Sequence, residues 1–97
     1  MSLKEMVTAD QRLVILRSLR DMNGYSANES ILDDCLERYG HSISRDAVRT
    51  HMRWLEEQGL ITVEKVGETL VAKLTGRGGD VATGKSMVDG VKKPRPE

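Results

Sequence analysis

Ser44-Arg45-Asp46-Ala47-Val48-Arg49-Thr50-His51-Met52-Arg53-Trp54-Leu55-Glu56-Glu57-Gln58-Gly59-Leu60-Ile61-Thr62-Val63-Glu64 is the stretch on which the fold turns. Inside it the hydrophobic period changes from helical to extended. Ser44 can cap a helix, with Ile43 closing on Val48 as a hydrophobic staple. Val48, Met52 and Leu55 then gather on one side, while Asp46, Arg49, Thr50, Arg53 and Glu57 spread over the other. Gly59 ends the helix, and Leu60 falls where a Schellman motif sets an apolar side chain against Leu55. A helix over about 45–58 follows. Beyond it Ile61 and Val63 alternate with Thr62 and Glu64, and Leu70, Ala72 and Leu74 alternate with Val71 and Lys73, around the turn residues Gly67-Glu68. If Val66 faces Thr69, all five inward candidates share one face of a hairpin, so register and pattern agree.

Toward the N-terminus, Ser26-Ala27-Asn28-Glu29 carries helix-start chemistry. Ala27, Ile31, Leu32, Cys35, Leu36 and Tyr39 form its inward stripe, and Gly40 is its stop. Glu29, Asp33, Asp34 and Glu37 give this second helix an acidic outer face. Thr8-Ala9-Asp10-Gln11 reads as a capping box opening a first helix over about 9–22, with Leu13, Leu16, Leu19 and Met22 inward and Asn23-Gly24 as its end. After Thr75, glycines crowd the chain and at most one short helix fits. Residues 85–97 read as a flexible tail behind a domain of residues 1–84.

Three helices followed by a hairpin that needs their cover is the order of a winged helix-turn-helix. The predicted class is therefore mainly α with a small β-hairpin, α+β, built as a three-helix core plus a wing. The wording of residues 43–61, from the capped start through Val48 and Met52 to Leu55-Glu56-Glu57-Gln58-Gly59-Leu60-Ile61, resembles the recognition helix and first wing strand of ArsR and MarR bacterial regulators. Leu74, Thr75, Arg77 and Gly78 resemble the exit from such a wing. In length and in its Gly-rich, Pro-ending tail the chain is also similar to small winged-helix proteins of Mu-like phages and prophages. It has neither a long C-terminal dimerisation helix nor a cysteine cluster on the third helix.

The resemblance implies double-stranded DNA binding by a transcriptional regulator of bacterial or phage origin, with the helix at 45–58 in the major groove and the wing at 61–75 beside it. The residues implied are Ser44, Arg45, Asp46, Arg49, Thr50, Arg53, Lys65, Lys73 and Arg77. Arginine can bond guanine bidentately, and the wing lysines can meet phosphates. A homodimer is compatible with this reading, since two-fold half-sites are read by two-fold pairs. The alternative is a winged helix that docks on another protein, within a phage assembly for example, and does not bind DNA.

Composition bounds these readings. Ninety-seven residues suit one domain, and Lys plus Arg equal Asp plus Glu at 15 each, so no net field advertises a polyanionic partner. One cysteine and two histidines make no zinc site and no internal disulfide, which fits a reducing, cytoplasmic setting. No run is apolar enough for a membrane span, and no signal-peptide pattern is present. Cys35, His51 and Trp54 read as packing residues, Trp54 against the wing or the first helix. Gly79-Asp80-Val81-Ala82-Thr83-Gly84-Lys85-Ser86 fits the phosphate-loop pattern G-x-x-x-x-G-K-[ST]. It lacks the strand before it and the full helix after it, so no nucleotide, cofactor, metal or catalytic residue is expected, and the protein is not expected to be an enzyme.

Overall fold

The computed structural model describes residues 1–95. The chain runs α1 (Leu3–Arg20), a short 3-10 turn (Asn23–Tyr25), β1 (Ser26–Asn28), α2 (Glu29–Arg38), α3 (Arg45–Glu57), β2 (Ile61–Val66), β3 (Thr69–Leu74) and α4 (Gly76–Thr83). This is the α+β winged helix-turn-helix expected, with a third strand added and the one short helix that fits after Thr75 formed. The sheet has three antiparallel strands in the order β1-β3-β2, and the short fourth helix is present.

The decisive stretch folds as its pattern dictates. Ser44 Oγ accepts from the Ala47 amide, and Val48, Met52 and Leu55 are buried. At the far end Leu60 N donates to Leu55 O and Gly59 N to Glu56 O, the two bonds of a Schellman stop. The hairpin pairs Val66 with Thr69, Val63 with Ala72 and Ile61 with Leu74, so its apolar face lies on the helices.

Three expectations are corrected. Helix α1 begins at Leu3, capped by Ser2, whose Oγ accepts from Glu5 N; the Thr8–Gln11 box lies inside it. Lys4, Glu5 and Met6 are good helix formers, and nothing before Thr8 breaks the helix. Ser26–Asn28 is strand, not the first turn of a helix, because it pairs with the free side of β3: Ser26 with Lys73, Ala27 with Ala72, Asn28 with Val71. Asn28 then caps α2 through Oδ1, which accepts from Ile31 N. The buried positions of α2 are consequently Glu29, Leu32 and Leu36, with Cys35 half-buried and Ile31 and Tyr39 exposed.

Helix α1 is the axle of the core. Leu13, Val14, Ile15, Leu16 and Leu19 are all buried, because α2, α4, β1 and β3 pack around it. Residues 85–92, expected as a flexible tail, return to α1. Lys92 N donates to Ala9 O, Arg12 Nη1 donates to Gly90 O, and Val88 and Val91 pack against the core. The expected tail's last residues, Pro96 and Glu97, lie outside the described residues.

Gly78 marks the tightest approach between α4 and the sheet. A Cβ there would collide with the Leu60 carbonyl and with Leu74 Cδ1. Backbone cannot yield as a side chain does, so Gly78→Ala should cost about 2 kcal/mol, read as a lower urea midpoint, whereas Gly76→Ala, which meets nothing within 4 Å, should cost little.

Candidate nucleic-acid interface

The helix-turn-helix is α2, the connector 39–44 and α3. Its geometry is set by one carboxylate. Glu29 opens α2 yet is only 2% exposed, the reverse of the solvated position its place in an acidic run suggested. Strand β1 ends opposite Val71, so the next amide of β3 on that side needs an acceptor. Glu29 Oε2 supplies it, accepting from Leu70 N at 2.6 Å. The other oxygen accepts from Arg49 Nε at 2.8 Å, with Arg45 Nη1 at 3.5 Å. Arg49 Nη2 donates to Glu68 O in the wing turn at 2.7 Å. One buried acid thus joins α2, α3 and the wing.

Hydrogen bonding by Arg49 lowers the Glu29 pKa; burial opposes this, and the Leu70 amide and Arg45 reinforce it. Reciprocally, Glu29 raises the Arg49 pKa. The three arginines of α3, expected to stand free toward solvent, are each engaged: Arg45 with Glu29 and with Asp33 at 3.5 Å, Arg49 with Glu29, Arg53 with Glu56 at 3.1 Å. Their side chains stay 46%, 40% and 51% exposed. Each guanidinium has five N–H donors, so the paired edge leaves others facing outward.

Asp46, Arg49, Thr50, Arg53, Trp54 and Glu57 line one shallow concavity along α3. Ser44 spends its hydroxyl on the helix cap, and Thr50 Oγ1 donates to Asp46 O. Lys65 pairs with Leu70, so it lies on the core-side face of the wing beyond the buried residues. Lys73 pairs with Thr62 and Ser26 and points to the opposite face. Arg77 belongs to α4, which packs on α1. The nine candidates therefore divide: Ser44, Arg45, Asp46, Arg49, Thr50, Arg53 and Lys65 share the α3 side, and Lys73 and Arg77 do not. The phosphate-loop pattern has its amides spent within and after α4, with Gly79 N on Thr75 O, Gly84 N on Val81 O, and both Lys85 N and Ser86 N on Asp80 O.

Behind the concavity sits a second polar cluster, of which the sequence showed His51 and Trp54 only as packing residues. His51 is buried and its Nε2 bonds Gln11 Oε1 at 2.8 Å, while Nδ1 accepts from Arg12 Nε at 3.3 Å. Arg12 stacks over Trp54, 3.8 Å from the ring centroid. Burial first, then the Arg12 and His41 charges, push the His51 pKa down to about 4.

A helix-turn-helix backed by a β-hairpin defines a winged-helix domain. The chain belongs to the family described as the ribonuclease R winged-helix domain, which matches residues 13–81. It is 56% identical over 94 residues to the uncharacterized protein gp26 of Escherichia phage Mu, covering 97% of each chain. It is also 59% identical over 78 residues to an uncharacterized Haemophilus influenzae protein, covering 79% of this chain and 76% of that one. These relationships bear out the winged-helix fold and the Mu-phage kinship and carry no support for the narrower likeness to ArsR and MarR regulators. Among the described residues no helix is long and apolar enough to cross a membrane.

Removing the hub acid leaves a buried strand amide without its acceptor and two half-exposed guanidiniums that return to water, so Glu29→Ala should lower unfolding free energy by about 1 to 3 kcal/mol in denaturant titration. His51 gives a separate signature. Its folded pKa of about 4 lies below the 6.5 of the free side chain, so the unfolded chain takes up the proton first as pH falls. Stability should decline between pH 6.5 and 4 by an amount on the order of 3 kcal/mol. His51→Gln, which can still bond Gln11, should flatten that window in pH-dependent melts.

Proposed function

We propose that this protein binds double-stranded DNA as a phage-type transcriptional regulator, with α3 in the major groove and the wing tip along the backbone. The observation that carries the reading is the row Arg49, Thr50, Arg53 on the exposed edge of the helix that occupies the recognition position. Carboxylates hold Arg49 and Arg53 from one side, which limits the rotamer entropy lost when the remaining donors meet a guanine edge. A family named for a domain of a ribonuclease and a relative in phage Mu support a nucleic-acid role in a phage setting. The winged-helix family and the phage relatives suggest a non-catalytic module, and the reading is a non-catalytic one.

Charge balance sets the expected strength. Glu29 and Asp33 hold Arg45 and Arg49 to the scaffold, whereas the Arg53–Glu56 pair is exposed on both sides and can open, leaving Arg53 and Lys65 as the main phosphate or base partners on this face. The slope of log K against log salt should therefore be shallow, about −2 per chain. In fluorescence anisotropy against a DNA-site library, Lys65→Ala should reduce the slope by about 1, and Arg53→Ala should cost about 1 to 3 kcal/mol of preference among sites. Lys73→Ala, on the far face of the sheet, should change neither. Arg49→Ala is a poor probe because it also opens the Glu29 hub. A second reading, docking on another protein through the same face, is favoured by Asp46, Glu56 and Glu57 on α3. No detectable binding to duplex DNA at low salt would select it.

A further inference from the structure

The first seven residues are all exposed, although Leu3–Val7 is regular helix. This end of α1 stands clear of the body and carries Leu3, Met6 and Val7 on one side. Beside it the returning chain of residues 86–93 builds a recess with Met87, Val88 and Val91, and ridge and recess together enclose a groove of about 510 Å³. Of the nine large hydrophobic side chains that stand exposed among the described residues, five line this groove: Met1, Leu3, Met6, Val7 and Met87. The other four are Tyr25, Ile31, Tyr39 and Val66, and none of them lines it. A concentration of this kind marks an interaction surface and not ordinary surface scatter.

We infer that the groove is covered by a second copy of this chain, joined about a two-fold axis. The ridge and the recess adjoin on one surface, so a two-fold rotation can lay each ridge in the other copy's recess, the self-complementary arrangement of an isologous dimer. The five side chains are between 39% and 88% exposed, so covering them in full would bury on the order of 600 Å² per chain and on the order of 1,200 Å² for the pair, which reaches the lower edge of specific interfaces. Charge does not oppose the contact. Lys4 and Glu5 flank the ridge, Asp89 and Lys93 rim the recess, and Lys92 of the recess pairs with Asp10, so each element offers both signs to the other. Asp10, deeper in the groove, is held by His41 at 2.7 Å and Lys92 at 3.5 Å.

Sedimentation equilibrium of the full chain, up to about 100 μM, reads this directly. The wild type should approach twice the 10.8 kDa of one chain, with a melting temperature that rises with concentration. Leu3→Glu and Met6→Glu should return the mass to one chain while leaving the circular dichroism spectrum unchanged, because neither side chain contributes to the buried core. In a Cys35→Ser background, a Val7→Cys chain mixed with a Met87→Cys chain should cross-link into a two-chain species under mild oxidant. A wild type that stays at one chain's mass over the whole range overturns the proposal and assigns the groove to a different partner's apolar helix. A dimer indifferent to both glutamates overturns it as well, since the copies then meet elsewhere.

Discussion

The arrangement of this domain depends on a buried carboxylate. Helix packing and a hairpin register can hold α2, α3 and the wing near one another, but apolar contacts alone leave the azimuth of α3 about its own axis loosely set. Glu29 removes that freedom. Its two oxygens are directed to a strand amide and a guanidinium on different elements, and Arg49 extends the link to the carbonyl of Glu68 in the wing turn. Burial of a charge is tolerated because every oxygen is occupied. Among the described residues no buried side-chain polar atom lacks a partner.

A consequence is that one helix face serves two ends. Arg45 and Arg49 belong to the scaffold through their paired edges and to the surface through their exposed ones. The charge they would bring to a polyanion is largely cancelled by Glu29 and Asp33, so the surface of α3 is polar and directional and only weakly electropositive. This matches the zero net charge of the whole chain. A polyanion would meet donor geometry on such a face more than long-range attraction.

What could be read from the sequence was whatever is fixed by neighbours along the chain. The Ser44 cap, the Gly59-Leu60 stop and the hairpin register each depend on residues a few positions apart, and all three are present as expected. Glu29 was legible only as an acid at a helix start, where the helix dipole welcomes it. Its burial depends on Arg49 and Leu70, 20 and 41 positions away. Strand β1 is three residues long, too short for an alternation to show, and its pairing is dictated by the open side of β3. Of the candidate site, the α3 residues and Lys65 are brought together; Lys73 lies on the opposite face of the sheet, as its place in the strand alternation requires, and Arg77 lies on α4.

The tail was the least legible element, for a reason visible at Gly90. As a local signal this glycine, between Asp89 and Val91 and close to two prolines, is a breaker. In the fold it adopts φ +98°, and a Cβ there would lie 2.8 Å from two ring carbons of Trp54 and 3.0 Å from Arg12 Nη1. Its smallness is therefore a packing requirement: it lets the returning chain lie close to the indole while its carbonyl accepts a hydrogen bond from Arg12 Nη1. Trp54 lines the α3 concavity on one side, and Gly90 lines the apolar groove beside α1. Arg12, Trp54 and Gly90 thus form a contiguous bridge of packed groups between the face that carries the arginines and the face that carries the exposed methionines. A residue that reads as the end of structure is a point where the two surfaces of the domain share atoms.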